Sequence, residues 1–373
     1  MKKICHITTV HSPFDTRIFY KEAKALANAE YEVSLIAQHD KKEIVEEVKI
    51  IPLPKPKNRL ERFFELDRLA YNLAVKQKAD IYHFHDPEFL SWAIKLKKKT
   101  DAKIIYDVHE DYPKQILSKY WIPKLLRNII ASFFNFYEKR KTKNVDYIIT
   151  ATLDIKNNFK QDNVIDIKNY PVITNLDFSK NQKSYEDKNY YTLIYIGGLE
   201  KVRGIKEIVQ SLKFINPKYK IKLKLAGKFS DENFKNEIKK LKEWEKVQYL
   251  GQLSHSQVLK HLTRADVGLV CLHPLRRFLT SLPVKMFEYM AAELPVIASN
   301  FPLWKEIIEL NNCGICINPL KPKEIAKAIE YLIEHPDEAK EMGERGRKAV
   351  LEKYNWENES KKLLKVYEEL AKK

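Results

Sequence analysis

Two groups of residues in this chain have the types and spacing to do chemistry. The first is spread over Tyr195-Ile-Gly-Gly-Leu-Glu-Lys-Val-Arg and Ser281-Leu-Pro-Val-Lys-Met-Phe-Glu. Arg203 carries a planar guanidinium suited to clamping a diphosphate, and Gly197 and Gly198 let backbone approach a bulky anion. Ser281 and Pro283 read as a helix start, whose free N–H groups near Val284 and Lys285 attract negative charge. Glu288, one turn further on, is placed to accept hydrogen bonds from the hydroxyls of a ribose. The second group lies at the ends of apolar runs in the first half: His85 and Asp86, then His109, Glu110 and Asp111, with Asp15 and Arg17 just beyond the first run. In open α/β sheets ligands gather at the carboxyl ends of strands, which is where these side chains fall.

The runs that would hold them are short and apolar. In the first half they are Ile4–Thr8, Val33–Ile36, Ile81–Phe84, Ile104–Tyr106 and Tyr147–Thr150, separated by amphipathic stretches. After a polar segment at 180–189 a second series follows: Leu193–Ile196, Leu223–Ala226, Val247–Leu250, Val267–Cys271, Val296–Ala298 and Ile315–Ile317. Alternation of buried strands with helices gives an α/β chain with doubly wound parallel sheets, and the restart puts a domain boundary near residue 185. Helix starts are marked by Ser254, Pro302, Pro322 and Pro336. All 9 glycines lie at or after Gly197. The first half therefore has no glycine-rich phosphate loop after its first strand, which excludes dinucleotide-dehydrogenase and P-loop readings and assigns any nucleotide to the second half.

Composition narrows the classes further. Hydrophobic residues make up 44% of the 373, enough for buried interiors. The net charge of +17 is shared about evenly between the halves, and no basic arm or nucleic-acid-binding motif accompanies it, so nucleic acid is not the expected partner. Cys313 and Cys316 have zinc-like spacing without a second ligand pair, and no Asp-x-Asp motif for a metal-bound diphosphate occurs, so no metal is expected. The first residues are too poor in apolar side chains for a secretory leader, which points to a cytoplasmic protein. The stretch 121–143 is apolar, aromatic and basic, and reads either as a face packed on the first sheet or as a contact with anionic lipid at the inner face of the plasma membrane.

Several of these segments resemble glycosyltransferase family 4 (glycosyl transferases group 1), in its polysaccharide-biosynthesis branch. His11-Ser-Pro-Phe-Asp-Thr-Arg-Ile-Phe-Tyr-Lys-Glu-Ala is similar to the family's first strand-to-helix connection. Ile81-Tyr-His-Phe-His-Asp and Tyr106-Asp-Val-His-Glu resemble the next strand ends, and Ala265-Asp-Val-Gly with Phe287-Glu-Tyr-Met-Ala-Ala the donor half. The resemblance implies a GT-B fold, two Rossmann-like domains facing across a cleft: residues 1–185 on the acceptor side, 186–355 binding the nucleotide sugar, and a helix at 356–373 returning to the first domain. It implies a retaining, metal-independent transfer of sugar from a nucleotide diphosphate-sugar, as substrate rather than cofactor, to a cell-envelope glycan or lipid-linked acceptor. His109, Arg203 and Lys285 would be catalytic; Gly197, Gly198, Gly251, Gln252, Leu253, Val284 and Glu288 would complete the donor site. Asp15, Arg17, His85 and Glu110 would face the acceptor. Three positions depart from the family: Thr280 replaces the first carboxylate of its glutamate pair, Gly198 a basic residue, and Glu293 a glycine. A sugar-nucleotide epimerase or hydrolase, or a non-catalytic subunit of the same fold, stays open beside transfer.

Overall fold

The structure, a computed structural model, describes residues 1–118, 122–176 and 190–372. The chain divides into two compact units, Met1–Asn169 with Trp356–Lys373, and Tyr170–Asn355. The division expected near residue 185 falls instead after Asn169, because the next residues pack into the second core. The ring of Tyr170 meets Phe287 at 4.8 Å and Tyr354 at 5.5 Å, and Leu176 is buried in the same cluster. The polar segment that suggested the later boundary, 180–189, lies outside the described residues. The final helix, Trp356–Lys372, belongs to the first unit, where Glu359 accepts the Lys168 N–H at 2.8 Å.

The first unit holds an eight-stranded sheet: β1 (Lys3–Ile7), β2 (Glu32–Gln38), β3 (Glu43–Val45), β4 (Val48–Leu53), β5 (Ile81–Phe84), β6 (Lys103–Val108), β7 (Tyr147–Thr150) and β8 (Val164–Asp166). Their order is β3-β4-β2-β1-β5-β6-β7-β8, parallel except for the β3–β4 pair. Strands β3, β4 and β8 had no counterpart in the sequence reading. Lys49 and Pro52 interrupt the β4 run, and β8 is three residues long. The second unit has a six-stranded, all-parallel sheet: β9 (Tyr191–Ile196), β10 (Ile221–Ala226), β11 (Val247–Gly251), β12 (Val267–Val270), β13 (Val296–Ser299) and β14 (Gly314–Ile317), ordered β11-β10-β9-β12-β13-β14. In each unit the chain winds outward from the first strand, then restarts on that strand's other side. The switch points lie between β1 and β5 and between β9 and β12, where neighbouring connections leave in opposite directions and open a crevice.

Central strands are buried on both faces, so their side chains read as unbroken apolar runs. Each fully buried Leu, Ile, Val or Phe contributes about 1.5 to 3 kcal/mol of transfer free energy, which explains why both sheets tolerate the polar clusters at their edges.

One local expectation is corrected. The helix Val284–Ala291 has Pro283 as its N-cap with no side-chain cap, because the Ser281 hydroxyl donates instead to the Phe278 carbonyl at 3.1 Å. Arg203 ends a 3-10 turn, Lys201–Arg203, and the helix begins at Ile205 after Gly204 takes φ +73°. A side chain at Gly204 would collide with the Cys271 carbonyl at 1.9 Å.

Glu293 sits just past the helix Val284–Ala291 with φ +57°, the left-handed conformation that favours glycine, and its carbonyl lies against Gly343. This accounts for the glycine usual there. Replacing Glu293 with glycine relieves the strain and gives up a half-exposed contact to Arg347. Glu293→Gly is therefore expected to stabilise the protein by about 0.5 to 1 kcal/mol in a urea melt; an unchanged or lowered midpoint contradicts the assignment of strain.

Candidate functional site

At the carboxyl edge of the first sheet, Asp15 accepts the N–H groups of Arg17 (2.8 Å) and Ile18 (3.0 Å), fixing the start of the turn that carries Arg17 inward. Burial works against ionisation of Asp15, yet the hydrogen bond from His11 and these two N–H groups hold its carboxyl well below the usual range. His11 is held above its ordinary value by Asp15 and Asp86, against the opposing effect of burial. Arg17 is buried and anchored by carboxylates. Its Nε and Nη2 donate to Asp107 at 2.9 and 3.0 Å, its Nη1 donates to the Ile167 carbonyl at 2.8 Å, and Glu22 lies 2.9 Å from Nε. Three of its five N–H groups are engaged in this way, and Arg17 also lines, beside Asp15, the cavity that opens above.

His109 stands 2.9 Å from Asp107, and His85 lies 3.2 Å from His109. His85 is fully buried and does not reach solvent, so it belongs beneath the site rather than against the acceptor. Burial lowers it to about 4 despite the neighbouring Asp107. His6 and His83 are likewise pushed well down by burial and by one another's company, and the His83 ring contacts the Tyr367 hydroxyl at 2.7 Å. Glu22 is driven well above its ordinary value by burial and by the Asp107 charge, whereas Arg17 outweighs burial and holds Asp107 ionised. The resting cluster thus holds one ion pair, a neutral acid and, in His6, His83 and His85, neutral imidazoles.

Above it opens a cavity of about 770 Å3. One wall is polar, with His11, Asp15, Asp86, His109 and Glu110; the other is apolar, with Ile116, Ile122, Ile130 and Phe134. Among the described residues, two groups are close enough to ligate a metal: His6, Glu22, His83 and His85, and His85, Asp107 and His109, with ligand atoms within 4.8 Å of one another. The Arg17 guanidinium already supplies positive charge at 2.9 Å from both carboxylates, so a cation there would meet repulsion that a proton on Glu22 avoids.

In the second unit, the end of β9 and the helix Val284–Ala291 bring Gly197, Gly198, Arg203 and Lys285 together. The Lys285 ammonium sits 3.9 Å above the Tyr195 ring, buried and without a hydrogen-bond partner. A Cβ at Gly197, whose φ is +131°, would fall 2.6 Å from it. Arg203 Nε donates to Glu200 at 3.1 Å and flanks Gly198. Burial first, then the Arg203 charge, push Lys285 down to about 7, while the Glu288 carboxylate pulls the other way. Val284 opens the helix, and Gly251, with φ +67°, ends β11, two strands from β9 on the same edge, ahead of Gln252 and Leu253. Thr280 follows a short turn, Arg276–Leu279.

Residues 16–175 match the family described as Glycosyltransferase Family 4, and residues 177–349 match Glycosyl transferases group 1, together spanning nearly the whole chain. The chain belongs to this glycosyltransferase family. Its two parallel-sheet units are those of the GT-B fold. An uncharacterised glycosyltransferase of Methanocaldococcus jannaschii is 22% identical over 326 residues, covering 83% of this chain and 78% of that one. Sucrose-phosphate synthase from Thermosynechococcus elongatus superimposes with a TM-score of 0.77 at 18% identity, covering 99% of each chain. The Anabaena protein HepE, crystallised with UDP-glucose, gives 0.74 at 13% identity, covering both chains fully.

The glycosyltransferase holds several site residues that the sequence reading passed over. His6 and His83 lay inside strand runs and Asp107 just past the end of one, where a polar residue gives no sign of which face it takes. Their signal was strand parity: His83 and His85 share a face of β5, and His6 pairs with His83 across β1. Glu22 looked like one more helical charge, and only the turn at Ile18–Ala23 buries it.

Because the fold keeps Glu22 protonated, its penalty is absent below the unfolded-state value of 4.5 and grows as pH rises from there toward the raised folded value. Glu22→Gln removes the titration. The variant should gain melting temperature over the parent at pH 8 and little at pH 4.5; a loss at pH 8 would mean the carboxylate is used in ionised form.

Proposed function

We propose that this glycosyltransferase takes a sugar from a nucleotide diphosphate-sugar bound by the second unit. The acceptor, a cell-envelope glycan or lipid-linked sugar, enters the cavity of the first unit. The observation that carries this reading is the buried, unpartnered Lys285 ammonium beside Arg203 and the glycine-opened backbone of Gly197. A cation in that state is stabilised by an arriving anion, and the helix N-terminus at Val284 adds N–H donors to the same edge. The complex of a fold neighbour with UDP-glucose supports a nucleotide sugar as that anion. Glu288, one turn into the helix, would hold the ribose, and the backbone of Gly251, Gln252 and Leu253 the base.

In the reaction the bond from the anomeric carbon to the β-phosphate oxygen breaks, and a bond to the acceptor oxygen forms. The acceptor proton leaves on the phosphate, and nucleoside diphosphate is released. Arg203 and Lys285 take up the charge that develops on the departing phosphate, which needs no metal at that point. Retention at the anomeric carbon follows the family resemblance, with His109 orienting the sugar.

The cavity's two walls suit an acceptor with a polar head and an apolar remainder. Its apolar wall includes Ile130 and Phe134 of the helix Lys124–Thr142, on which Leu125, Ile129, Phe133 and Phe136 face solvent, Leu125 at 89% and Phe133 at 71%. Lys139, Arg140 and Lys141 end that helix. No helix among the described residues is long and apolar enough to cross a membrane. The exposed row with its basic end instead fits peripheral contact with an anionic bilayer, where each Lys or Arg contributes about 1 kcal/mol. Trp121, part of the stretch first singled out, lies outside the described residues.

Two experiments test these parts separately. Isothermal titration with UDP or GDP should show affinity falling as pH rises above about 7, with proton uptake on binding, because the phosphates restore the charge of Lys285. Lys285→Met should abolish the uptake, and Arg203→Ala should weaken binding by about tenfold or more; normal binding in both variants removes the donor site. Product analysis with donor alone separates transfer from isomerisation or hydrolysis. Phe133→Asp with Phe136→Asp should release the protein from phosphatidylglycerol vesicles in flotation; equal binding by the variant contradicts lipid contact through this helix.

A further inference from the structure

Asp107 is the most heavily used acceptor beneath the cavity. Its Oδ2 lies 2.9 Å from Arg17 Nε, 2.9 Å from His109 Nε2 and 3.3 Å from His85 Nδ1, and its Oδ1 takes Arg17 Nη2 at 3.0 Å. An ionised carboxylate accepts at about four lone-pair sites and donates nothing. Every group facing it must therefore bring a proton, which settles the tautomer of each ring in turn. His109 carries its proton on Nε2. His85 carries its proton on Nδ1, so its Nε2 is an acceptor. His6 meets that Nε2 at 3.1 Å through Nδ1, which must be the protonated nitrogen of its ring. The alternative, in which His85 Nδ1–H donates to His109 Nε2 at 3.2 Å, would turn the Nε2 lone pair toward an anionic oxygen 2.9 Å away.

We propose that Asp107, held in place by Arg17, is a positioning residue that fixes His109 as its Nε2–H tautomer and leaves Nδ1 as a lone-pair acceptor for a sugar hydroxyl in the cavity. Three features of the surroundings support the assignment. His109 is the one ring of the chain His6, His85, His109 that forms part of the cavity wall. The rings behind it are fully buried, and His85 is engaged at both nitrogens, which leaves them little room to offer another arrangement. Arg17, whose Nη1 donates to the Ile167 carbonyl, is held in place and keeps Asp107 ionised. A hydroxyl can donate to such a nitrogen, whereas a phosphate oxygen, which has no proton to give, cannot. His109 in this state therefore recognises the polyhydroxyl part of a substrate and discriminates against an anionic group at the same spot.

The proposal rests on reading the cavity as a sugar-binding site, but its first test needs no substrate. In the full-length protein labelled with 15N-histidine, long-range proton–nitrogen correlation assigns each ring's tautomer, and the His109→Gln variant identifies the His109 signal by its loss. The expected result is the Nε2–H form across the pH range in which His109 is neutral; the Nδ1–H form overturns the proposal. In Asp107→Asn the acceptor loses its charge and presents an amide donor on one side, so the single tautomer should give way to the other form or to a mixture. The turnover number should then fall by about a hundredfold while the donor KM stays within twofold. An Asn variant that keeps both the parental tautomer and the parental turnover number refutes the positioning role. Should that variant fail to fold, the resting tautomer of the parent protein still decides the matter. A correct tautomer with no sugar transfer would leave the positioning intact and count against the proposed function instead.

Discussion

A positive charge taken out of water has to be neutralised, and the two units of this chain meet that requirement in opposite ways. In the first, Arg17 is satisfied from within: Asp107, Glu22 and a backbone carbonyl surround it. Such a cation has its charge balanced already, and its effect is to hold other groups still. In the second, the Lys285 ammonium is buried against an aromatic face with no hydrogen-bond partner, and the charge of Arg203 opposes its ionisation while Glu288 and Glu200 favour it. That arrangement is costly until an anion arrives. One buried cation organises a site and the other awaits a ligand, and the division of labour proposed for the two units follows from this difference.

Both arrangements depend on parallel sheets with the same winding. Each switch point leaves a gap at the carboxyl edge, between β1 and β5 in the first unit and between β9 and β12 in the second. The functional side chains are the residues that immediately follow those strands or the helices that start beside them. Glycine matters in one place above all. At Gly197 the absence of a Cβ leaves room for the Lys285 ammonium, and any side chain would displace the charge on which donor recognition is proposed to rest.

The alternation of apolar runs made both sheets and their helices legible, since a buried parallel strand must be apolar on both faces. Strands that escaped notice, Glu43–Val45, Val48–Leu53 and Val164–Asp166, are short or interrupted by proline and lysine. Donor-side residues were legible because a glycine turn and a basic residue at a helix start are local patterns. The network under His109 was not, since it joins Arg17, Glu22, His85 and Asp107 from separate segments. Whether Arg17 faces a ligand or a carboxylate is decided by tertiary packing alone. The domain boundary was misplaced for a related reason: Tyr170 and Leu176 look like linker residues until the core that buries them is seen. Conversely, the odd Glu293 found its explanation in a backbone angle no side-chain pattern reports.

The claim on which the donor half stands is that Lys285 is poised between charge states until phosphate reaches it. Selective labelling of lysine side chains, with Lys285→Met to identify the signal, allows its titration to be followed by NMR. The account predicts a midpoint near 7 in the free protein and a clear rise once a nucleoside diphosphate is added. A Lys285 that titrates near the ordinary value of 10.5 in the free protein, unmoved by the nucleotide, would contradict it.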